Sequence, residues 1–169
     1  MPKPVHRIRT EAEKQGLAES VSDRRMKIEG KKVLITGAAR RLGRTMIERL
    51  AEAGAEVAVH YRSSADEAEM LCKQLTAQGT TTHLIRAELS SPEACEATIA
   101  EAIRRMGGLD VLVNNAALFQ ADTLMNFDLA SAREQMMVNC WAPLLLSRAL
   151  ARQGDAGRII HILDQRIAH

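Results

Sequence analysis

At 169 residues, of which 46% are hydrophobic, the chain is long enough for one domain with a sizeable core. No apolar run approaches the roughly 18 residues of a membrane span, and no short apolar segment of signal-peptide type opens the chain, so a soluble, cytoplasmic protein is expected. A net charge of +2 with four aromatic residues also excludes a nucleic-acid binder, which shows a stronger basic face with aromatics among it.

Residues 1–30 are polar and mixed in charge, and they are expected to form a mobile arm. Nine Lys or Arg stand against five Asp or Glu within residues 1–32, so the remainder is slightly acidic. Glu11, Glu13 and Glu19 argue against a transit peptide.

From Lys31 the pattern alternates. KKVLIT, at 31–36, is a short β-rich run, and Gly43, Met46, Ile47, Leu50, Ala51 and Gly54 then fall at the spacing that paints one helix face. EVAVHY, at 56–61, predicts a second strand. Ala68, Leu71, Cys72 and Leu75 give the next helix its stripe before Gly79 stops it. TTHLIRA is the third strand. Ser90, Ser91 and Pro92 then offer a cap and a first-turn proline to a helix striped by Cys95, Thr98, Ile99, Ala102, Ile103 and Met106, which runs up to Gly107 and Gly108. DVLVNN is the fourth strand. After a longer loop, a helix over 130–152 carries Pro143 and is predicted to kink, and GRIIHIL, at 157–163, is the fifth strand.

Strands this apolar, separated by amphipathic helices, predict an α/β fold in which a parallel sheet is covered on both faces. Right-handed crossovers make it a Rossmann-like doubly wound sheet, expected in strand order 3-2-1-4-5. Its ligand crevice lies at the carboxyl ends of the strands, so the loops after Thr36, Tyr61, Ala87, Asn114 and Leu163 are the ones that matter. Cys72, Cys95 and Cys140 are odd in number and widely spaced, without a CxxC, which predicts reduced thiols and no metal site.

The first of those loops reads TGAARRLGR. Gly37 and Gly43 let the backbone turn tightly and approach a ligand, while the following helix presents unpaired N–H groups and a positive dipole end to an anion. The spacing does not fit a P-loop, and arginine rather than lysine follows Gly43.

Thr36-Gly37 followed by Gly43, with Asn114-Asn115-Ala116 after strand four and Asn139 in the long helix, resembles the short-chain dehydrogenase/reductase family. That family's turn reads TGxxxGxG, its fourth strand ends in NNAG, and an asparagine in the helix before strand five belongs to its catalytic set. The resemblance covers 31–169, which it implies is an NADP-binding Rossmann domain. TGAARRLGR is further similar to the pteridine reductase branch, where arginine replaces the middle glycine, and Arg41 takes that place. The resemblance implies that Gly37, Arg40, Arg41, Leu42 and Gly43 hold the cofactor pyrophosphate on backbone amides, with the Arg41 guanidinium as a charge-assisted clamp.

At the end of strand two an NAD site would place Asp or Glu, whereas this chain has Tyr61, Arg62, Ser63 and Ser64. A guanidinium and two hydroxyls suit a 2′-phosphate, which implies NADPH; Ser64 could also cap the next helix. Glu88 stands where the family usually has an aspartate that meets the adenine, with Leu89 beside it, and Asn115, Ala116 and Ala117 are expected along the ribose and nicotinamide path.

Phe119 occupies the position of an aromatic that stacks on the pterin ring in the resembling reductases, with an ordinary loop anchor as the competing reading. Ala117 replaces a serine common in that branch and weakens the case for a pteridine substrate. Asp164 stands where most of the family has its catalytic serine and where pteridine reductases have aspartate, a carboxyl group that could relay a proton. The family's Tyr-x-x-x-Lys does not follow, since Tyr61 is the single tyrosine and Lys73 the last lysine. The chain is therefore expected to be the amino-terminal part of a longer reductase, its sheet incomplete relative to the family and its fifth strand a flat apolar edge. The expected function is NADPH-dependent reduction of a pteridine-like or carbonyl small molecule, by a protein that is a dimer or tetramer when whole. The alternative is a catalytically inactive NADP(H)-binding module acting as a regulator or subunit partner.

Overall fold

Each apolar run forms a strand and each striped segment a helix, because the sheet buries both of its faces and needs a helix layer on each. The computed structural model describes residues 27–120, 123, 125–126, 128–154 and 157–163; Asp164 and nearly all of the expected arm lie outside these. In chain order the elements are β1 (Lys32–Ile35), α1 (Arg41–Glu52), β2 (Glu56–Tyr61), α2 (Ala65–Ala77), β3 (Thr82–Arg86), α3 (Pro92–Met106), β4 (Val111–Asn114), α4 (Leu129–Met136), a π turn (Met137–Trp141), α5 (Ala142–Ala151) and β5 (Arg158–His161). All neighbouring strands are parallel, in the order β3-β2-β1-β4-β5, as expected.

Alternation along β1 and β2 divides the core. Val33, Ile35, Val57 and Val59 point to one side and pack with Ile47 of α1 and Leu71 and Leu75 of α2. Leu34, Ala58 and Leu112 point to the other, with Ile99 of α3 and Leu146 and Leu150 of α5. Helix α3 starts as its sequence prescribes. The Ser91 hydroxyl accepts from the Ala94 N–H at 3.2 Å, Pro92 takes the first turn, and Gly107 ends the helix with φ +67°.

The long helix departs from expectation. It is interrupted by the π turn, which begins before Pro143, and the Ala142 N–H bonds back to the Met137 carbonyl. The reason is covalent: Pro143 has no N–H to give the Asn139 carbonyl in α register, so the preceding turn widens. Strand β5 is shorter than the predicted 157–163, and all four of its residues are exposed at the sheet edge.

Candidate functional site

The floor of the crevice is set where β1 and β4 end side by side. The Thr36 hydroxyl accepts from the N–H groups of both Asn115 and Ala116 at 2.9 Å each and donates to the Val113 carbonyl at 3.4 Å. The Asn115 side-chain amide returns the connection, donating to the carbonyls of Thr36 at 2.8 Å and Gly37 at 3.1 Å. This ladder fixes the glycine turn against the loop after β4.

The turn itself has no room for a side chain at Gly43. A Cβ there would stand 2.4 Å from the Gly37 carbonyl oxygen and 2.8 Å from the Asn115 amide nitrogen. Arg41 opens α1 at φ +51°, the one non-glycine among the described residues in the left-handed region. Helix α1 begins without a side-chain cap, Arg40 holding the N-cap position, so its first-turn N–H groups stay available to an anion.

Behind the turn lies His60, a residue the sequence reading passed over. Its ring is buried and its Nδ1 accepts from the Gly37 N–H at 3.1 Å, while its carbonyl accepts from the Ala38 N–H at 2.8 Å. Accepting at Nδ1 requires the neutral tautomer protonated at Nε2. Burial favours that neutral form and lowers the pKa from 6.5 to about 4, against a weaker upward pull from the Ala87 backbone. Nε2 makes no well-formed hydrogen bond among the described residues, so the Ala87 contact is a weak one.

The turn, the end of β2, the end of β3 and the loop after β4 together enclose a cavity of about 430 Å³. Its wall contains Gly37, Arg40, Arg41, Leu42 and Gly43 from the turn, Tyr61, Arg62, Ser63 and Ser64 after β2, Glu88 and Leu89 after β3, and Asn115, Ala116 and Ala117 after β4. Every residue assigned from sequence to cofactor binding is thus brought to one place. Ala39, His60, Ala87, Leu118 and Val138 also line it. Val138 directly precedes Asn139 in the π turn, a position that strand-end reasoning could not reach.

The arginines differ in their partners. Arg40 pairs with Glu67 at 3.5 Å, and Arg44 pairs with Glu48 at 2.9 Å and bonds Gln74 at 3.1 Å. Arg62 lies 3.6 Å from Glu88 and 3.6 Å from Glu134 of α4. Arg41 alone of these four has no ion-pair partner among the described residues.

Asn139 sits outside the cavity wall and holds it from behind. Its Oδ1 accepts from the Leu118 N–H at 2.8 Å and its Nδ2 donates to the Leu118 carbonyl at 2.7 Å. Phe119, next in the chain to the lining residue Leu118, is 79% exposed and does not line the cavity. Ser64 stands at the start of α2 without capping it, so its hydroxyl is not committed to the helix. Cys72 and Cys95 are buried and Cys140 is exposed, all three free. Among the described residues no cluster of metal-ligating side chains occurs, and no helix is long and apolar enough to cross a membrane.

Residues 31–164 match the sequence profile of the short chain dehydrogenases. The 3-oxoacyl-[acyl-carrier-protein] reductase FabG of Staphylococcus aureus is 39% identical over 95 residues, which are 56% of this chain and 39% of that protein. A short chain dehydrogenase from Burkholderia cenocepacia, crystallised in complex with NADP, superimposes with a TM-score of 0.76 at 35% identity, over 80% of this chain and 56% of that one. The FolM alternative dihydrofolate reductase 1 of Brucella canis, complexed with NADP, gives 0.77 at 32% identity over 85% and 59%. The chain therefore spans well under two thirds of the length of these relatives.

Proposed function

The chain belongs to the short chain dehydrogenase family, and from that membership we propose that it is an NADP(H)-dependent oxidoreductase whose cofactor occupies the cavity at the carboxyl ends of the strands. The observation that carries the reading is Arg41, a guanidinium without an ion-pair partner among the described residues, held at positive φ where α1 starts without a side-chain cap. A non-glycine residue in that conformation costs about 1–2 kcal/mol, and a charged ligand at the turn offers a return for it.

The residues present fit the cofactor. First-turn amides of α1 with Arg41 would hold its pyrophosphate, and Arg62, Ser63 and Ser64 its 2′-phosphate. Glu88 and Leu89 would meet the adenine, and Asn115, Ala116 and Ala117 the ribose and nicotinamide. When bound, the nicotinamide supplies a hydride to the substrate. The chain's own contribution is orientation: His60 keeps the Gly37 N–H directed, and Asn139 fixes the Leu118 backbone in the wall. Asp164, through its carboxyl group, would hand on a proton toward the reacting atom.

For the substrate we favour a pteridine-like heteroaromatic, with a simple carbonyl compound as the second choice. The arginine at position 41 and the likeness to two FolM alternative dihydrofolate reductases support the first, and the likeness to a 3-oxoacyl reductase supports the second. Phe119, exposed beside Leu118, would supply the stacking face that a flat ring needs.

Nicotinamide fluorescence on titration with NADPH and NADH tests the cofactor reading. Binding of NADPH at least about tenfold tighter than NADH is expected, corresponding to roughly 1.4 kcal/mol from the extra phosphate. Equal affinities, or a preference for NADH, would refute it.

A further inference from the structure

In the proposed reading Arg62 is the one cation set to meet a 2′-phosphate, and it is not free. Its Nη1 lies 3.6 Å from a carboxylate oxygen of Glu88, just after β3, and 3.6 Å from one of Glu134, on α4. The two acids come from different elements and converge on the same nitrogen. Locally, one positive charge is met by two negative ones, whereas Arg41 has no acidic partner among the described residues. An incoming phosphate dianion would meet a guanidinium already engaged by two carboxylates.

We infer that Glu134 is a specificity-determining residue of the nucleotide site: its carboxylate competes with a 2′-phosphate for the Arg62 guanidinium and so restrains the preference for phosphorylated nucleotide. The inference rests on the reading of the cavity as an NADP(H) site. Glu88 lines the cavity and is also assigned to the base, whereas Glu134 does not line it and meets the site at Arg62. All three side chains are about half exposed, so water and salt weaken each pair. Exposed pairs of this kind contribute up to about 1 kcal/mol, which sets the expected change at about two- to fivefold in affinity.

Helix α4 buries none of its residues, so replacing Glu134 leaves the core untouched. The test is calorimetric titration of the full chain, and of Glu134→Gln and Glu134→Lys, with 2′,5′-ADP and 5′-AMP at low and physiological ionic strength. Glu134→Gln should bind 2′,5′-ADP about two- to fivefold tighter with 5′-AMP unchanged, more so at low salt, and Glu134→Lys should exceed it. If Glu134 merely ties α4 to the rim, both nucleotides shift together or 2′,5′-ADP binds no tighter, and either result overturns the inference while the cofactor reading stands. An unaltered protein that does not distinguish 2′,5′-ADP from 5′-AMP would instead overturn the cofactor reading, and the inference with it.

Discussion

Replacing Arg41 with glycine separates two quantities that a substitution usually confounds. At φ +51° an L-residue carries a penalty of about 1–2 kcal/mol that glycine avoids. Glycine in turn loses about 0.5–1 kcal/mol through the greater freedom of its unfolded chain. The two partly cancel, so Arg41→Gly should fold with a stability between unchanged and about 1.5 kcal/mol higher. For a chain of 169 residues that is a rise in Tm of at most about 3–6 °C. Cofactor affinity should move the other way. A hydrogen bond from a charged donor contributes about 1.5–3 kcal/mol, so NADPH should bind roughly 10- to 100-fold more weakly. Arg41→Ala keeps the conformational penalty and loses the charge, so it should bind as poorly as Arg41→Gly and melt no higher than the parent. Thermal unfolding without nucleotide, paired with fluorescence titration, reads both quantities. A glycine variant that melts several degrees lower yet binds NADPH normally would show that the guanidinium serves the fold and not the ligand.

Two further predictions concern the floor of the crevice. Because the folded-state pKa of His60 is lowered from 6.5 to about 4, the unfolded chain takes up a proton between those values that the folded chain does not. That part of the stability is complete above pH 6.5 and is lost as the pH falls toward 4, by up to about 1.4 kcal/mol per unit. Urea unfolding at several pH values should show this slope and should show it flattened in His60→Asn, whose carbonyl can still accept from Gly37; parallel slopes would remove His60 as the cause. Thr36→Val leaves the Asn115 and Ala116 amides without their acceptor and should cost about 2 kcal/mol, or about 4–8 °C in Tm, while Thr36→Ser should recover most of it. Equal melting of the valine and serine variants would argue against the hydroxyl.

The sheet order and the place of the crevice were legible because they follow from local signals. Apolar runs such as VLI and VAV alternated with striped segments, and Ser91-Pro92 and Gly107 marked the bounds of one helix by their own chemistry. What was not legible depends on contacts between distant segments. His60 reads as one more buried position in a strand covered on both faces, and its task exists only because the Gly37 N–H arrives beside it. Glu134 reads as a solvated acid on a helix until the fold carries it to Arg62. Pro143 did announce a distortion, but its effect lies upstream, where the missing donor is felt, in the turn that holds Val138 of the cavity wall.

The Thr36 hydroxyl, joined to two amides of the facing loop, acts as a hinge pin that has been locked. Widening the base of the crevice would mean breaking those bonds. On the proposed reading, discrimination between ligands would fall to the lip, where Arg62 faces the carboxylates of Glu88 and Glu134. A scaffold arranged this way would let single surface substitutions change which carrier it prefers, with its foundations undisturbed.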